Sequence, residues 1–388
     1  MCTNITETIK YIGVDDTDLD LFESQYIVPN GISYNSYLIL DEKVAIMDTA
    51  DARKAEEWKA NLNNALGSRK PDYLVIHHME PDHAGVAAEM MSTYPELTLV
   101  CSEKASKMLG NFFDGVDFGN RIQTVSDGNE LCLGKHTLKF FSAMMVHWPE
   151  VIVSYDTLDK VLFSADAFGK FGALSIDDDW ACEARRYYFN ICGKYGPQVQ
   201  RLLAKAATVD IEVICPAHGP ILKENLDYYV GIYNTWSNYD VETEGVLVAY
   251  ASIHGGTKQV AEYVAEQLEA KGANKVAITD LCRDDMAEAI EDAFRMNACV
   301  LAAASYDADV FPPMHDFIHH LQLKNWQNRR VAIIENGSWA PSAARVMRKM
   351  LEDMKSIEIV GPEVTIWSRM KEKDKEALNE LCDAILQK

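Results

Sequence analysis

The chain has 388 residues, 48% of them hydrophobic, with 59 acidic side chains against 37 basic ones and a formal charge of −22. That length exceeds what one hydrophobic core usually supports and predicts two domains. The acidic balance excludes a nucleic-acid partner, because phosphate recognition needs clustered Lys and Arg, and leaves small molecules and proteins.

The N-terminal stretch MCTNITETIKYIGVDDTD has neither a basic nor an apolar leader region. No apolar run approaches the roughly 18 residues of a membrane span. Nine cysteines, odd in number and with no C-x-x-C pair, match a reducing compartment. A cytoplasmic protein with mostly buried, inert thiols is expected, Cys2 among them, with no membrane association.

In chain order, short alternating segments come first: SYNSYLIL, KVAIMDTA, LTLVCS, HTLKFFSAMMV, VIVSYD and KVLFSADAF read as strands. Helical stretches such as ARKAEEWKANLNNAL and AGVAAEMMSTYP interrupt them. Two β-sheets covered by helices are expected. The polar, acidic segment SNYDVETEG, with Gly245 at its end, marks the boundary, giving domains over 1–243 and 244–388. Beyond it the pattern becomes regular. GVLVAYAS, NKVAITDL, ACVLAAAS, RRVAIIEN and IEIVGP read as buried parallel strands, each followed by an amphipathic segment. Five such βα units make a doubly wound parallel sheet.

Chemistry concentrates at strand ends. PDYLVIH is a strand, so HHMEPDH lies between it and a helix expected to begin at about Ala84. His147 ends FFSAMMV, Asp166 ends KVLFSA and His218 follows IEVICPA, so four strand ends carry metal-capable residues. A lone His or Asp at such a place is more often a turn-former. His78, Glu80, Asp82 and His83 are different, because four chelating side chains within six residues are costly unless a cation offsets them.

In the second domain YASIHGGTKQVAEYV joins the first strand to the first helix. Ser252, Ile253, His254, Gly255, Gly256 and Thr257 resemble the phosphate loop of flavodoxins, in which hydroxyls, backbone N–H groups and a helix N-terminus hold the FMN phosphate. Ligands of open α/β sheets sit beyond the carboxyl ends of the strands. Two further loops there, Ser305, Tyr306, Asp307 and Ala308 in one and Asn336, Gly337, Ser338 and Trp339 in the other, are candidates to hold the flavin ring. The proline and threonine usual in the first of these loops are replaced here by Ser305 and Tyr306.

His78, Asp82, His83, His147, Asp166 and His218 follow in order the metal pattern of the metallo-β-lactamase fold. Hydrolytic members have a histidine where this chain has Glu80, and a carboxylate there makes the site harder and suits iron. Joined to a flavodoxin-like domain, this set resembles the A-type flavodiiron proteins over nearly the whole chain. The resemblance implies an N-terminal αββα metallo-β-lactamase-like sandwich followed by a C-terminal flavodoxin-like domain. It implies one iron on His78, Glu80 and His147, a second on Asp82, His83 and His218, and Asp166 bridging, with Glu80 and Asp166 as catalytic residues. In some members the residue at the His83 position turns away from iron. His77 stands where the family usually has a non-ligand residue and is placed beside the ligands rather than among them, as are Tyr187 and Tyr188.

The cofactors implied are FMN and two non-haem irons, and the reactions are reduction of dioxygen to water or of nitric oxide to nitrous oxide. A head-to-tail homodimer, or a dimer of such dimers, would bring one subunit's FMN to the other's irons. No C-x-x-C pairs follow the second domain, so a separate rubredoxin or related reductase is implied as donor. Two rivals remain open: a metallo-β-lactamase-fold hydrolase fused to a flavodoxin domain, and an electron-transfer flavoprotein whose first domain is only a scaffold.

Overall fold

Apolar side chains at alternate positions of short segments demand burial on one face, and two sheets facing each other satisfy that demand. In the computed structural model, which describes residues 4–387, a six-stranded sheet runs in the order Ile9–Tyr11, Tyr37–Leu40, Val44–Met47, Tyr73–Val75, Thr98–Ser102 and Ile122–Val125. A five-stranded sheet runs in the order Glu130–Cys132, Thr137–Ser142, Ile152–Asp156, Val161–Phe163 and Val213–Cys215. Ile39, Met47, Val75 and Val100 from the first sheet share one buried cluster with Phe140, Ile152, Phe163 and Val213 from the second. The chain divides into two compact units, residues 1–188 with 197–234 and residues 189–196 with 235–388.

Several elements differ locally from the sequence reading. SYNSYLIL splits into Ile32–Tyr34 and Tyr37–Leu40, because Asn35 turns its amide to the carbonyls of Pro216 and Gly219 at 2.9 and 2.8 Å. HTLKFFSAMMV is a strand only over Thr137–Ser142. Past it the chain folds on itself, Ala143 N–H bonding Val151 and Met145 N–H bonding Trp148, so His147 stands in a loop rather than at a strand terminus. The helical turn after the histidine cluster begins at Pro81, not Ala84, since proline's fixed φ suits the first helical position; Asp82 and His83 therefore lie within the turn. Helices Glu103–Phe112, Trp180–Ile191, Gly196–Ala206 and Leu226–Ser237 were not anticipated. Five of the eight described cysteines are buried, whereas Cys132 and Cys182 are exposed. Cys2 lies outside the described residues.

In the second unit five segments become parallel strands in the order Val276–Asp280, Thr243–Ala251, Met296–Tyr306, Arg329–Asn336 and Ile357–Ile359, with Val364–Ile366 also pairing Arg329–Asn336. One face packs on helices Gly256–Ala270 and Lys375–Leu386 through Val246, Val248, Val264, Leu268, Leu378 and Leu381. The first strand sits inside the sheet between the second and third. The order reverses there, where such sheets open a crevice for ligands. No helix among the described residues is long and apolar enough to cross a membrane.

Candidate metal centre and cofactor cavity

Four loops deliver the metal-capable side chains, and each is tied down by its neighbours. The loop with His218 is held by Asn35 and by Tyr37, whose hydroxyl donates to the Pro216 carbonyl at 2.6 Å. The Ser33 carbonyl accepts from His218 Nδ1 at 2.7 Å, leaving Nε2 to face inward. Thr49 bonds the His83 carbonyl through both its N–H and its hydroxyl, each at 2.7 Å. Backbone strain gathers beside these loops: Met145 and Ala165 adopt φ of 65° and 50°, a left-handed conformation that costs a side-chain-bearing residue about 1–3 kcal/mol and tends to mark functional sites.

The side chains converge in two groups. His78, Glu80, His147 and Asp166 form one, and Asp82, His83 and His218 the other, with the ligand-type atoms of each group lying within 4.8 Å of one another. In the first, Nε2 of His78 and His147 lie 3.1 and 3.0 Å from Glu80 Oε2 and 3.4 and 3.3 Å from Asp166 Oδ2. In the second, Nε2 of His83 and His218 lie 3.1 and 3.6 Å from Asp166 Oδ1 and 3.4 and 3.3 Å from Asp82. One carboxylate thus turns one oxygen to each group.

The donor set fits divalent cations. Both oxygens of Asp82 and Asp166, both ring nitrogens of His83 and Nε2 of His218 are buried and make no hydrogen bond among the described residues. Buried polar atoms without partners are rare and expensive, and two cations would partner all of these except His83 Nδ1, which points away from the carboxylates that Nε2 faces. A third group, His136 with Asp156 and Asp159, shows the contrast. Its ring nitrogens meet Asp156 and Thr8 at 3.0 and 2.8 Å, while Asp159 N–H donates to Asp156 Oδ2 and the Thr6 hydroxyl to Asp159 Oδ2. It is satisfied internally and needs no metal.

Electrostatics point the same way. Burial alone would lower the His78 pKa, but the Asp166 charge and the hydrogen bonds of Glu150 and Glu80 raise it to about 10. Against the same burial, Asp166 and Glu80 raise His147 to about 10, and Asp82 with Asp166 raises His83 to about 9. Burial would raise Asp166, yet His83 and His78 hold it well below the carboxylate range. These carboxylates demand positive charge. Protons on imidazole supply it, and a divalent cation would replace them while accepting the imidazole lone pairs.

Two residues beside the centre escaped the sequence reading. Glu150, 2% exposed, places Oε1 at 2.7 Å from His78 Nδ1 and accepts Met79 N–H at 3.0 Å. Such an outer carboxylate fixes the tautomer and tilt of a ligating histidine; His83 has no counterpart on Nδ1. Glu150→Ala is expected to weaken metal binding at the His78 group roughly 10- to 100-fold, as read by equilibrium dialysis against a divalent cation. Glu23, exposed at the tip of the hairpin Leu21–Ile27, is pushed up to about 7 by partial desolvation and by the Glu80 charge. His77 faces neither group. Tyr187 reaches the centre's edge, its ring 5.6 Å from that of His218, while Tyr188 packs on Tyr233 at 5.1 Å.

In the second unit a cavity of about 570 Å³ opens at the strand carboxyl ends, within the range of roughly 300–1,000 Å³ usual for small-molecule sites. Ser252, Ile253, His254, Gly256, Thr257, Ser305, Tyr306, Asp307, Ala308, Asn336, Gly337, Ser338 and Trp339 line it, as do Ser368 and Arg369, which the sequence reading missed. Gly255 does not line it but adopts φ of 81° at the helix entry, its N–H bonded to the Ser252 hydroxyl at 3.1 Å. Helix Gly256–Ala270 has no side-chain cap, so its first N–H groups suit an anion at the cavity. Ser305 also binds its own scaffold, accepting N–H bonds from Ser342 and Ala343. Tyr306 rests against Phe311 at 5.6 Å, and Trp339 is 87% exposed.

Comparison with known proteins places these features among relatives. A family model described as ODP family beta lactamase matches residues 32–219. The chain is 27% identical over 360 residues to an uncharacterized protein of Methanocaldococcus jannaschii, covering 91% of this chain and 90% of that one. It is 25% identical over 391 residues to the anaerobic nitric oxide reductase flavorubredoxin of Escherichia coli O1:K1 / APEC, covering 97% of this chain and 80% of the relative. The rubredoxin oxygen:oxidoreductase of the anaerobe Desulfovibrio gigas superposes with a TM-score of 0.93 at 25% identity, over 99% of this chain and 98% of that one. The flavodiiron protein of Giardia intestinalis shares the fold, with a TM-score of 0.90 at 22% identity over 99% of this chain and 96% of that one.

Proposed function

The chain belongs to the flavodiiron protein family of oxidoreductases, and from that premise we propose that it passes electrons from FMN to a diiron centre that reduces dioxygen to water, nitric oxide to nitrous oxide, or both. Its architecture is a metallo-β-lactamase-like sandwich followed by a flavodoxin-like doubly wound sheet. The observation that carries the reading is Asp166, whose two oxygens face two separate groups of metal-capable residues.

In this reading His78, Glu80 and His147 hold one iron, Asp82, His83 and His218 the other, and Asp166 both. When bound, the irons supply Lewis acidity and electrons, and FMN resupplies the electrons. Glu80 takes the place of an imidazole and favours iron over the zinc of hydrolases. Around His218 the rings of Phe22 and Tyr187, each 5.6 Å away, and Phe171 behind them form an apolar wall. Such a wall excludes water and admits a small uncharged gas, whereas the carboxylate-rich interior repels anions. Residues 1–243 are assigned to the metal centre and 244–388 to FMN, whose phosphate would sit on the Ser252–Thr257 loop. A rubredoxin or related reductase is the proposed donor, and a head-to-tail homodimer the assembly that joins the two cofactors. Gel filtration is expected to give a dimer or tetramer; a fully active monomer would remove that assembly.

The deciding experiment combines metal and flavin analysis of purified protein with anaerobic reduction and separate exposure to each gas. Two irons and one FMN per chain, with gas consumed catalytically, support the proposal. Two zincs and no gas consumption would favour the hydrolase. Retention of all activity in His147→Ala would favour the electron-transfer scaffold.

A further inference from the structure

His77 belongs to neither metal-facing group, yet its ring spans the gap between the two sheets of the sandwich. On one side Asp48, which follows the strand Val44–Met47, accepts the His77 backbone N–H through Oδ1 at 2.7 Å and meets ring Nδ1 through Oδ2 at 2.6 Å. On the other side Ser154, in the strand Ile152–Asp156 of the opposite sheet, stands 2.8 Å from Nε2. A carboxylate at Nδ1 places the proton there, so Nε2 accepts the Ser154 hydroxyl proton. The backbone adds a third tie, Ile152 N–H donating to the His77 carbonyl at 3.0 Å.

Asp48, His77 and Ser154 are 6%, 1% and 0% exposed. Their order imitates a hydrolytic triad, but a fully buried serine cannot meet a substrate. Both ring nitrogens are satisfied, the condition under which a buried polar chain rigidifies its surroundings. Asp48 holds its place at φ of 57°, a strained conformation that persists only where the surroundings over-determine it.

We propose that Asp48, His77 and Ser154 form an inter-sheet clamp that positions the first metal-facing group and leaves the second largely independent. This rests on reading the two groups as metal ligands. His78 is the next residue in the chain, and Glu150, which orients its ring, lies two residues before the clamped Ile152. The clamp therefore sets the separation between the loop bearing His78 and Glu80 and the segment bearing His147 and Glu150. The second group has ties that do not pass through His77 or Ser154: Ser33 holds His218, and Thr49, which follows Asp48 in the chain, holds the His83 carbonyl by its own N–H and hydroxyl. Asp48, His77 and Ser154 are positioning residues and touch no reacting atom.

The test uses full-length, metal-free protein titrated with Co²⁺, stoichiometry being read by equilibrium dialysis and site geometry by electron paramagnetic resonance. FMN content and thermal unfolding serve as fold controls. His77→Phe keeps a ring but removes both polar contacts; Ser154→Ala removes one and decides the matter if the first variant fails to fold. In either variant one Co²⁺ equivalent is expected to weaken, roughly 10- to 100-fold for His77→Phe, while the other keeps its affinity and spectrum. His77→Asn, which retains a donor toward Asp48, is expected to recover part of the loss. The proposal is overturned if both equivalents bind as in the wild type, or if both weaken in parallel with the unfolding temperature. Wild-type protein that binds no Co²⁺ would instead sink the ligand reading itself, and the clamp with it.

Discussion

Asp166→Asn is expected to yield a folded, flavin-bearing protein that has lost tight metal binding at both groups at once, with gas reduction falling at least 100-fold, at or beyond the upper end of the roughly 10- to 100-fold cost of losing an outer partner. Asparagine preserves the shape, so packing around this 1%-exposed side chain is not the variable. The anion is. Its Oδ2 faces His78 and His147 and its Oδ1 faces His83 and His218, and an amide offers one group an oxygen but the other an NH₂ with no lone pair to give. Metal analysis checks the first claim, and oxygen or nitric oxide electrodes the second. Loss confined to one metal would show that the carboxylate does not serve both groups.

The same substitution has a pH signature in protein stripped by a chelator. His78 and His147 rise from 6.5 to about 10 on folding, so their contribution to stability is fully present below pH 6.5 and is lost as the pH climbs through 10. Asp166 is shifted downward, so its own contribution is present above the ordinary carboxylate range and is lost only in strong acid. Thermal unfolding of the metal-free wild type should therefore shift to lower temperature between pH 7 and 10. Asp166→Asn removes a cause common to the histidine shifts and should flatten that slope. An unchanged slope would mean that the imidazoles take their charge from Glu80, Glu150 and Asp82 instead.

The second unit and the metal-capable residues were legible in the sequence for one reason: both are written locally. Alternation of apolar strands with amphipathic helices repeats over short windows, and His78, Glu80, Asp82 and His83 crowd into six residues. What stayed hidden is held by pairs distant in the chain. Glu150 meets His78 across 72 residues, and Ser154 meets His77 across 77. Neither leaves a periodic trace, because a lone glutamate in a loop or a lone serine on a strand carries no sign of what it faces. Arg369 and Ser368 enter the cofactor cavity from the end of a short strand whose companion, Ile357–Ile359, absorbed the sequence signal. The sequence puts His147 at a strand terminus because FFSAMMV is apolar but for Ser142, and hydropathy does not distinguish a strand from a tight loop. The segment 189–196, which groups with the second unit, has no compositional mark at all.

Gly256→Ala is expected to strip FMN while sparing the metal centre. Gly256 opens helix Gly256–Ala270 and lines the cavity, and a Cβ placed on it would lie 2.2 Å from the Ser368 carbonyl oxygen and 3.2 Å from Asn336 Nδ2. A backbone oxygen cannot swing aside as the end of a long side chain can. Asn336 and Ser368 are moreover latched to each other by two hydrogen bonds of 3.1 Å, and Ser338 joins Ser368 at 2.8 Å. The methyl group must therefore push the helix entry away from the loops that close the other side of the cavity. Overpacking of this kind costs on the order of 1–3 kcal/mol, which, placed on the bound state, weakens FMN roughly 5- to 150-fold. The alternative, Gly255→Ala, strains a left-handed residue but meets nothing within 4 Å, so it should cost less flavin affinity than Gly256→Ala. Fluorescence titration of the stripped proteins with FMN gives the ranking, and iron analysis of the same samples gives the control. Equal FMN affinity in Gly256→Ala and wild type would place the flavin elsewhere than this cavity, whereas parallel loss of iron would mean that the substitution unfolds more than the loop it touches.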